Sequence, residues 1–258
     1  MYKSFNNEEN VKLAPFFFNS FPKSGTHLMF QILTGLPSVK HDQLLHLYEG
    51  FPYQFTHHEQ ALRGIKENEF ISGHIYYSKL WEDKLKELNM KQIFLYRDLR
   101  DIIVSYNHYV EKVDAPLFHY FSEQNLSQKE RLLAIINGVE SSSFNHPGIK
   151  EWFSAFINWM HVPHVLSVRF EDLISNEQSQ TKTISTIIKY LYNDHLPLPI
   201  DQMLSSIKSN INPSQSATFR KGKIGSWQEE FDQELKDAFK RSTGDLLIQL
   251  GYEHNNNW

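Results

Sequence analysis

Pro15-Phe16-Phe17-Phe18-Asn19-Ser20-Phe21 runs directly into Pro22-Lys23-Ser24-Gly25-Thr26. The apolar, aromatic half reads as a strand buried on both faces of a sheet. Pro22 stops it, having no N–H to give to a ladder. Ser24, Gly25 and Thr26 then make a turn. Leu28, Met29, Ile32 and Leu33 recur at helical spacing, which predicts a helix over 25–35, closed by Gly35, Pro37 and Ser38. Strand, tight turn and helix in that order aim successive backbone N–H groups and a helix N-terminus at one point, a geometry that suits an anion. Lys23 adds a mobile positive charge beside it. Read alone, the stretch fits a plain strand-to-helix turn that carries a lysine equally well.

Two further stretches repeat the strand-then-polar pattern. Glu69-Phe70-Ile71-Ser72-Gly73-His74 reads as a second strand ending in a Gly turn, with His74 at its carboxyl end, where open parallel sheets bind ligands. An isolated His more often serves only as a surface or hydrogen-bonded group; sharing a sheet edge with Lys23 favours a functional role here. Residues 78–89 alternate Leu80, Trp81, Leu85 and Leu88 with charges, an amphipathic helix. Residues 91–96 make a third strand, followed by Arg97-Asp98-Leu99-Arg100-Asp101. Asp98 suits an N-cap, with Asp101 as its capping-box partner, and Ile102, Ile103, Tyr106, Tyr109 and Val110 form one apolar face. Arg97 with the hydroxyl of Ser105 would make a phosphate clamp, since guanidinium binds bidentately. Taken by itself, Arg97 fits pairing with a local Asp at the surface better.

Residues 38–57 hold His41, His46 and His57 among aromatics without a clear period, and read as surface loops and the partly exposed wall of a pocket. Their histidines match no zinc spacing, and there is no Cys. A short helix is expected over 58–67. Residues 112–148 are loop-rich apart from a helical period over 127–139, and offer a wall for an acceptor. The apolar stripe over 149–160 reads as core, 162–170 as a fourth strand, 177–193 and 200–209 as helices, and 228–250 as one closing helix before a frayed tail at 255–258. Between them, Arg220-Lys221-Gly222-Lys223-Ile224-Gly225 is either a solvated basic loop or a segment whose glycines let backbone approach an anion. Four strands alternating with helices predict one α/β domain over 1–258, a three-layer fold with a central parallel sheet flanked by helices.

Composition narrows the partners. A formal net charge of −4 gives no global basic field for nucleic acid, so an anion site must be local. With no cysteine, disulfides and thiolate chemistry are excluded, and a reducing cytoplasm is the expected setting. No apolar run approaches the ~20 residues of a membrane span, and no signal, transit or lipidation motif is evident.

Together the segments resemble the cytosolic-type sulfotransferases. Pro22-Lys23-Ser24-Gly25-Thr26 is similar to the family's 5′-phosphosulfate loop, and Tyr96-Arg97-Asp98 through Ser105-Tyr106 to its 3′-phosphate motif. Phe219-Arg220-Lys221-Gly222 with Gly225 and Trp227 resembles its late Arg-Lys-Gly segment, and Arg169-Phe170-Glu171-Asp172-Leu173 another family segment; Gly73-His74 falls where the family keeps its general base. The order and spacing agree from about residue 15 to residue 231.

The resemblance implies a P-loop NTPase-like sulfotransferase fold and a donor, 3′-phosphoadenosine 5′-phosphosulfate (PAPS), used without a metal. The acceptor would be a hydroxyl or amine of a small molecule. His74 would be the general base and Lys23 the group that neutralises the leaving phosphate. Ser24, Gly25 and Thr26 would hold the 5′-phosphate through backbone N–H groups, with His27 close by. Arg97, Ser105, Arg220, Lys221 and Gly222 would hold the 3′-phosphate side. Leu28 stands where many members carry Trp on the adenine, Phe170 where a Tyr is common, Ser72 where a Lys is frequent and Ser226 where an Asp is usual. The competing readings are a P-loop kinase or NTPase, which would need the absent GxxxxGK[ST] sequence, and a catalytically silent nucleotide-binding module.

Overall fold

The computed structural model describes residues 12–49, 54–113, 115–142, 144–212, 214 and 222–258. The first strand and turn form where expected: β1 is Phe16–Ser20 and α1 is Thr26–Thr34. The chain continues through β2 (Lys40–Tyr48), α2 (Gln54–Gly64), β3 (Glu69–His74), α3 (Lys79–Glu87), β4 (Lys91–Tyr96) and α4 (Leu99–Val110). Next come α5 (Pro116–Glu123), α6 (Gln128–Asn137), a hairpin of β5 (Val139–Glu140) and β6 (Asn145–His146), α7 (Ile149–Ile157) and β7 (Val165–Arg169). The remaining helices are α8 (Phe170–Ile174), α9 (Glu177–Tyr192), α10 (Ile200–Asn210), α11 (Gln233–Thr243) and α12 (Leu246–Gln249).

The main sheet has five strands in the order β2-β3-β1-β4-β7, and every pairing in it is parallel. Side chains alternate across a strand, and the aromatic run of β1 uses this on both faces. Phe16 and Phe18 pack with Phe70, Ile93 and Leu95 under α1, α9 and α10. Phe17 and Phe21 pack with Ile71 and Phe94 against residues of α4, α6, α7 and α11. The result is the expected α/β layering, with one apolar layer on each side of the sheet.

Parallel pairing puts all five carboxyl ends at one edge. The register pairs Ser20 with Leu95, Tyr48 with His74 and Tyr96 with Arg169. Lys23, Glu49, Tyr76, Arg97 and Phe170 therefore all leave the sheet on the same side. Asn19, buried in β1, pins the segment after His74: its Nδ2 donates to Ile75 O and its Oδ1 accepts from Ile75 N, both at 2.9 Å.

Several expectations need correction. Within 38–57, Lys40–Tyr48 is not loop: it is β2, an edge strand of the main sheet, and α2 begins at Gln54 rather than at 58. Its period is hidden by a register shift between His41 and His46. That bulge breaks the alternation a sequence pattern depends on. The sheet thus has five strands, not four. In 112–148, α5 starts with Pro116 in its first turn, and α6 carries a full Ser127–Glu130 capping box. The single helix expected over 228–250 is a 3-10 turn (Ser226–Glu229) followed by α11 and α12, separated at Gly244 (φ +58°). Nor is 255–258 frayed: the Trp258 ring packs edge-on against Trp227 at 5.4 Å and Phe239 at 5.9 Å.

Candidate active site

The carboxyl edge opens into a cavity of about 790 Å³, lined by residues from the turn after β1 through Ser226. Lys23, Gly25, Thr26, His27, Leu28, His74, Arg97, Ser105, Phe170 and Gly222 all border it. These sequence-predicted residues, spread over about 200 positions, are brought to one wall system. Phe219, Arg220 and Lys221 lie outside the described residues. Among the described residues no group of three or more His, Asp or Glu side chains is placed to hold a metal ion, and no helix is long and apolar enough to cross a membrane.

The turn after β1 takes left-handed backbone at Lys23 (φ +68°) and Gly25 (φ +101°). Only Gly fits the second position, because a Cβ there would lie 2.4 Å from the Phe170 ring. The Ser24 amide, expected among the phosphate donors, instead closes the turn onto Phe21 O at 3.2 Å. Ser24 is buried, its hydroxyl has no partner, and it does not border the cavity. The amides of Gly25, Thr26 and His27, at the start of α1, donate to no group among the described residues. They and Lys23 are the anion-facing set of this turn.

His74 is oriented by β1. Its Nδ1 lies 2.7 Å from Ser20 O. A carbonyl can only accept, so Nδ1 carries the proton and Nε2 the lone pair. Ser20 Oγ sits 3.3 Å from the same nitrogen and 3.0 Å from Thr26 Oγ1, tying the histidine to the first residue of α1. Burial, with the Lys23 charge adding to it, pushes His74 down to about 4. Lys23 is pushed down to about 8, first by burial and then by Arg97 and Lys112. Its Nζ sits 4.1 Å from the Tyr109 ring centroid.

Arg97 is held in place. Its Nη2 donates to Asp101 Oδ2 (3.2 Å) and Lys223 O (3.0 Å), its guanidinium lies 4.5 Å over the Phe170 ring, and its buried Nε has no partner. The local Asp pairing that sequence favoured is therefore present, but inside the cavity wall rather than at the surface. Asp101 does not act as a capping-box partner. It is buried in α4 and accepts from Gly225 N at 2.9 Å and Trp227 N at 3.0 Å, fastening the late segment to α4. Asp98 is the N-cap, accepting from Arg100 N.

Tyr48 and Glu49 border the cavity, in the stretch the sequence suggested as a pocket wall, but Tyr76, Tyr106, Tyr109, Trp152 and Phe156 of the same half were not singled out as site residues. The signal for Tyr76 was the carboxyl-edge rule itself, applied just past β3.

A parallel sheet with unpaired amides, a lysine, an arginine and a neutral histidine at one carboxyl edge belongs to the class of α/β proteins that take anionic ligands at that edge. The chain belongs to the sulfotransferase family: the model of the sulfotransferase domain matches residues 14–251. Among its relatives, sulfotransferase 1E1 of Bos taurus is 26% identical, the alignment covering 93% of this chain and 87% of that protein. Flavonol 3-sulfotransferase of Flaveria bidentis is 24% identical, with 95% and 86% covered. Among solved structures, mouse sulfotransferase SULT7A1 complexed with PAP is similar with a TM-score of 0.63 at 19% identity, over 92% of this chain and 88% of that one. Retinol dehydratase in complex with androsterone and the inactive cofactor PAP gives 0.59 at 16% identity, over 90% and 80%. These two show the fold.

Proposed function

We propose that this protein is a PAPS-dependent sulfotransferase, one catalytic unit that sulfates a hydroxyl of a small molecule. The observation that carries the reading is the gathering of Lys23, His74, Arg97, Ser105 and Gly222 around one cavity. The residues present suit a doubly phosphorylated nucleotide. The amides of Gly25, Thr26 and His27 and the ammonium of Lys23 serve the 5′ side. Arg97, with an unpartnered buried Nε, and Ser105 serve the 3′-phosphate, and Gly222, Arg220 and Lys221 belong to the same role. Leu28 offers apolar contact to the base, and Phe170 walls the site through Gly25 and Arg97. The donor supplies the sulfuryl group.

The chain's own groups then do three things. His74 Nε2, unprotonated near pH 7, takes the proton of the acceptor hydroxyl as that oxygen bonds to sulfur. Lys23 neutralises the phosphate oxygen that keeps the electron pair of the broken S–O bond. The aromatic wall holds the acceptor against the base. Having no disulfide to lose, the chain fits a reducing cytoplasm, where we place it.

The test is transfer from ³⁵S-labelled PAPS to a panel of small phenols and alcohols, paired with calorimetry of adenosine 3′,5′-bisphosphate binding. Labelled product and bisphosphate binding are expected. No bisphosphate binding would overturn the reading, and binding without any transfer would leave a silent nucleotide-binding module.

A further inference from the structure

The acceptor half of the cavity holds a carboxylate that sulfuryl transfer does not need. Glu49 follows Tyr48, the register partner of His74 across β2 and β3. One step along a strand and one strand over places its Cα roughly 6 Å from that of His74. Its Oε1 accepts from Tyr76 N at 2.9 Å, and the Gln54 side-chain amide reaches Oε2. Among the described residues no Lys, Arg or His forms an ion pair with it. Burial lifts its carboxyl above the usual carboxylate range, and only the Tyr76 amide pulls it back.

The surroundings favour a cation. Tyr48, Tyr76, Trp152 and Phe156 border the same space as Glu49 and His74, while the Tyr109 ring beside them already carries the Lys23 ammonium. Tyr76 packs edge-on to Phe156 at 5.0 Å, and Tyr48 stands 5.9 Å from His74. Aromatic faces attract ammonium groups, most strongly where water is excluded. The two cations that border the cavity near the donor turn, Lys23 and Arg97, repel each other and do not contribute to the Glu49 shift. The cavity is thus divided: cations for an anionic donor at one end, a single uncompensated carboxylate among aromatic rings at the other. The second carboxylate on its wall, Asp101, is already committed to Arg97 and to two backbone amides.

We propose that Glu49 selects hydroxylated amines as acceptors, the ammonium docking on Glu49 while the hydroxyl meets His74. This rests on the sulfotransferase reading above and names its substrate class. Glu49 is half-buried, and partial desolvation without a countercharge disfavours its charged form. A protonated amine supplies the countercharge, whereas a neutral acceptor of the same shape does not. The competing role for Glu49 is structural, a tie between the end of β2 and the segment after β3 through Tyr76 N.

The experiment compares a matched pair, tyramine and 4-ethylphenol, with labelled PAPS as donor, in the wild-type protein and Glu49→Gln. The amide keeps an oxygen for Tyr76 N and removes the charge. The wild type is expected to prefer tyramine by tenfold or more in kcat/KM. Glu49→Gln is expected to erase that preference while leaving 4-ethylphenol unchanged. An equal loss for both acceptors would make Glu49 structural, and a preference that survives the substitution, or no preference in the wild type, would overturn the proposal. If neither compound is sulfated, the wider acceptor panel and bisphosphate binding decide the parent reading separately. Calorimetric binding of the two compounds in the presence of adenosine 3′,5′-bisphosphate then reads the same ratio, and no binding of tyramine would overturn the proposal as well.

Discussion

His74 and Lys23 carry the chemistry in this account, and their environments set its pH limits. His74, pushed down to about 4, stays a competent base through the neutral range. Lys23, pushed down to about 8, loses its charge as pH rises through that value. The kcat/KM for the donor, which reports the free protein, is expected to fall roughly tenfold per pH unit above about pH 8. Lys23→Arg keeps its charge at any such pH, so it should flatten that limb; a limb that persists unchanged would assign it to another group. Removing the base by His74→Asn should lower kcat by about 100-fold or more with bisphosphate affinity nearly intact. Loss of that affinity would make His74 structural. Both residues were legible in the sequence because each stands at or just past the carboxyl end of an unambiguous apolar strand. What the sequence did not show is why His74 is neutral: burial, helped by the Lys23 charge, outweighs the Ser20 O contact that favours the protonated ring.

At the scale of elements, α4 and the segment after Gly222 act together through Asp101. Three donors converge on this one buried carboxylate: Arg97 Nη2, Gly225 N and Trp227 N. Asp101→Ala leaves the Gly225 and Trp227 amides unpartnered and Arg97 Nη2 with Lys223 O alone, which costs about 1–3 kcal/mol for each amide kept from water. The expected outcome is faster amide hydrogen exchange over 222–227 together with weaker bisphosphate binding. Unaltered exchange there would show that the late segment is held by other contacts. The glycine of the phosphate turn is as unforgiving. Gly25→Ala meets both a positive φ and the Phe170 ring at 2.4 Å, so bisphosphate binding should be lost in a protein that keeps its far-ultraviolet circular dichroism; retained affinity would mean the turn can rearrange.

Elements with one clean period were readable: β1, α1, β3, β4 and α4 formed within a residue or two of their expected bounds. β2 was not, because its histidines pack as ring partners while its bulge breaks the alternation. His41 stacks on Phe70 at 4.4 Å, and His46 stands 4.6 Å from His74. A residue that is polar by composition and buried by stacking defeats a hydrophobic pattern. The pocket wall expected over 38–57 is there at Tyr48 and Glu49, but on the end of a strand rather than on a loop.

For the molecule as a whole, the buried histidines make stability depend on acid. Burial holds His41 and His74 to about 4 and His46 to about 3. All three lie below the ordinary value of 6.5, so the unfolded chain binds more protons than the folded one between those limits. Stability contributed by keeping them neutral is complete above about pH 6.5 and is lost as pH falls toward 4. Each proton taken up on unfolding steepens the dependence by about 1.4 kcal/mol per pH unit. Urea unfolding at pH 7, 6 and 5 should show midpoints falling in that order; a midpoint that is flat or rises would contradict the neutral cluster. The packing of Trp258 makes a second prediction at this scale. Its ring lies against Trp227, and the Arg100 guanidinium sits 4.4 Å over it. Trp258 is partly buried, so Trp258→Ala should lower the melting temperature by less than the ~3–5 kcal/mol of a fully buried aromatic implies, and an unchanged melting temperature would mean that this ring adds nothing to the core.

The central claim is that segments far apart in the chain grip both ends of one doubly phosphorylated nucleotide. Calorimetric titration of adenosine 3′,5′-bisphosphate and of 5′-AMP into the wild-type protein and Arg97→Ala tests it most directly. The bisphosphate should bind the wild type more tightly by about 1.5–3 kcal/mol, the worth of a charge-assisted hydrogen bond, and Arg97→Ala should remove most of that difference. Equal affinities in the wild type, or a difference that survives in Arg97→Ala, would contradict it.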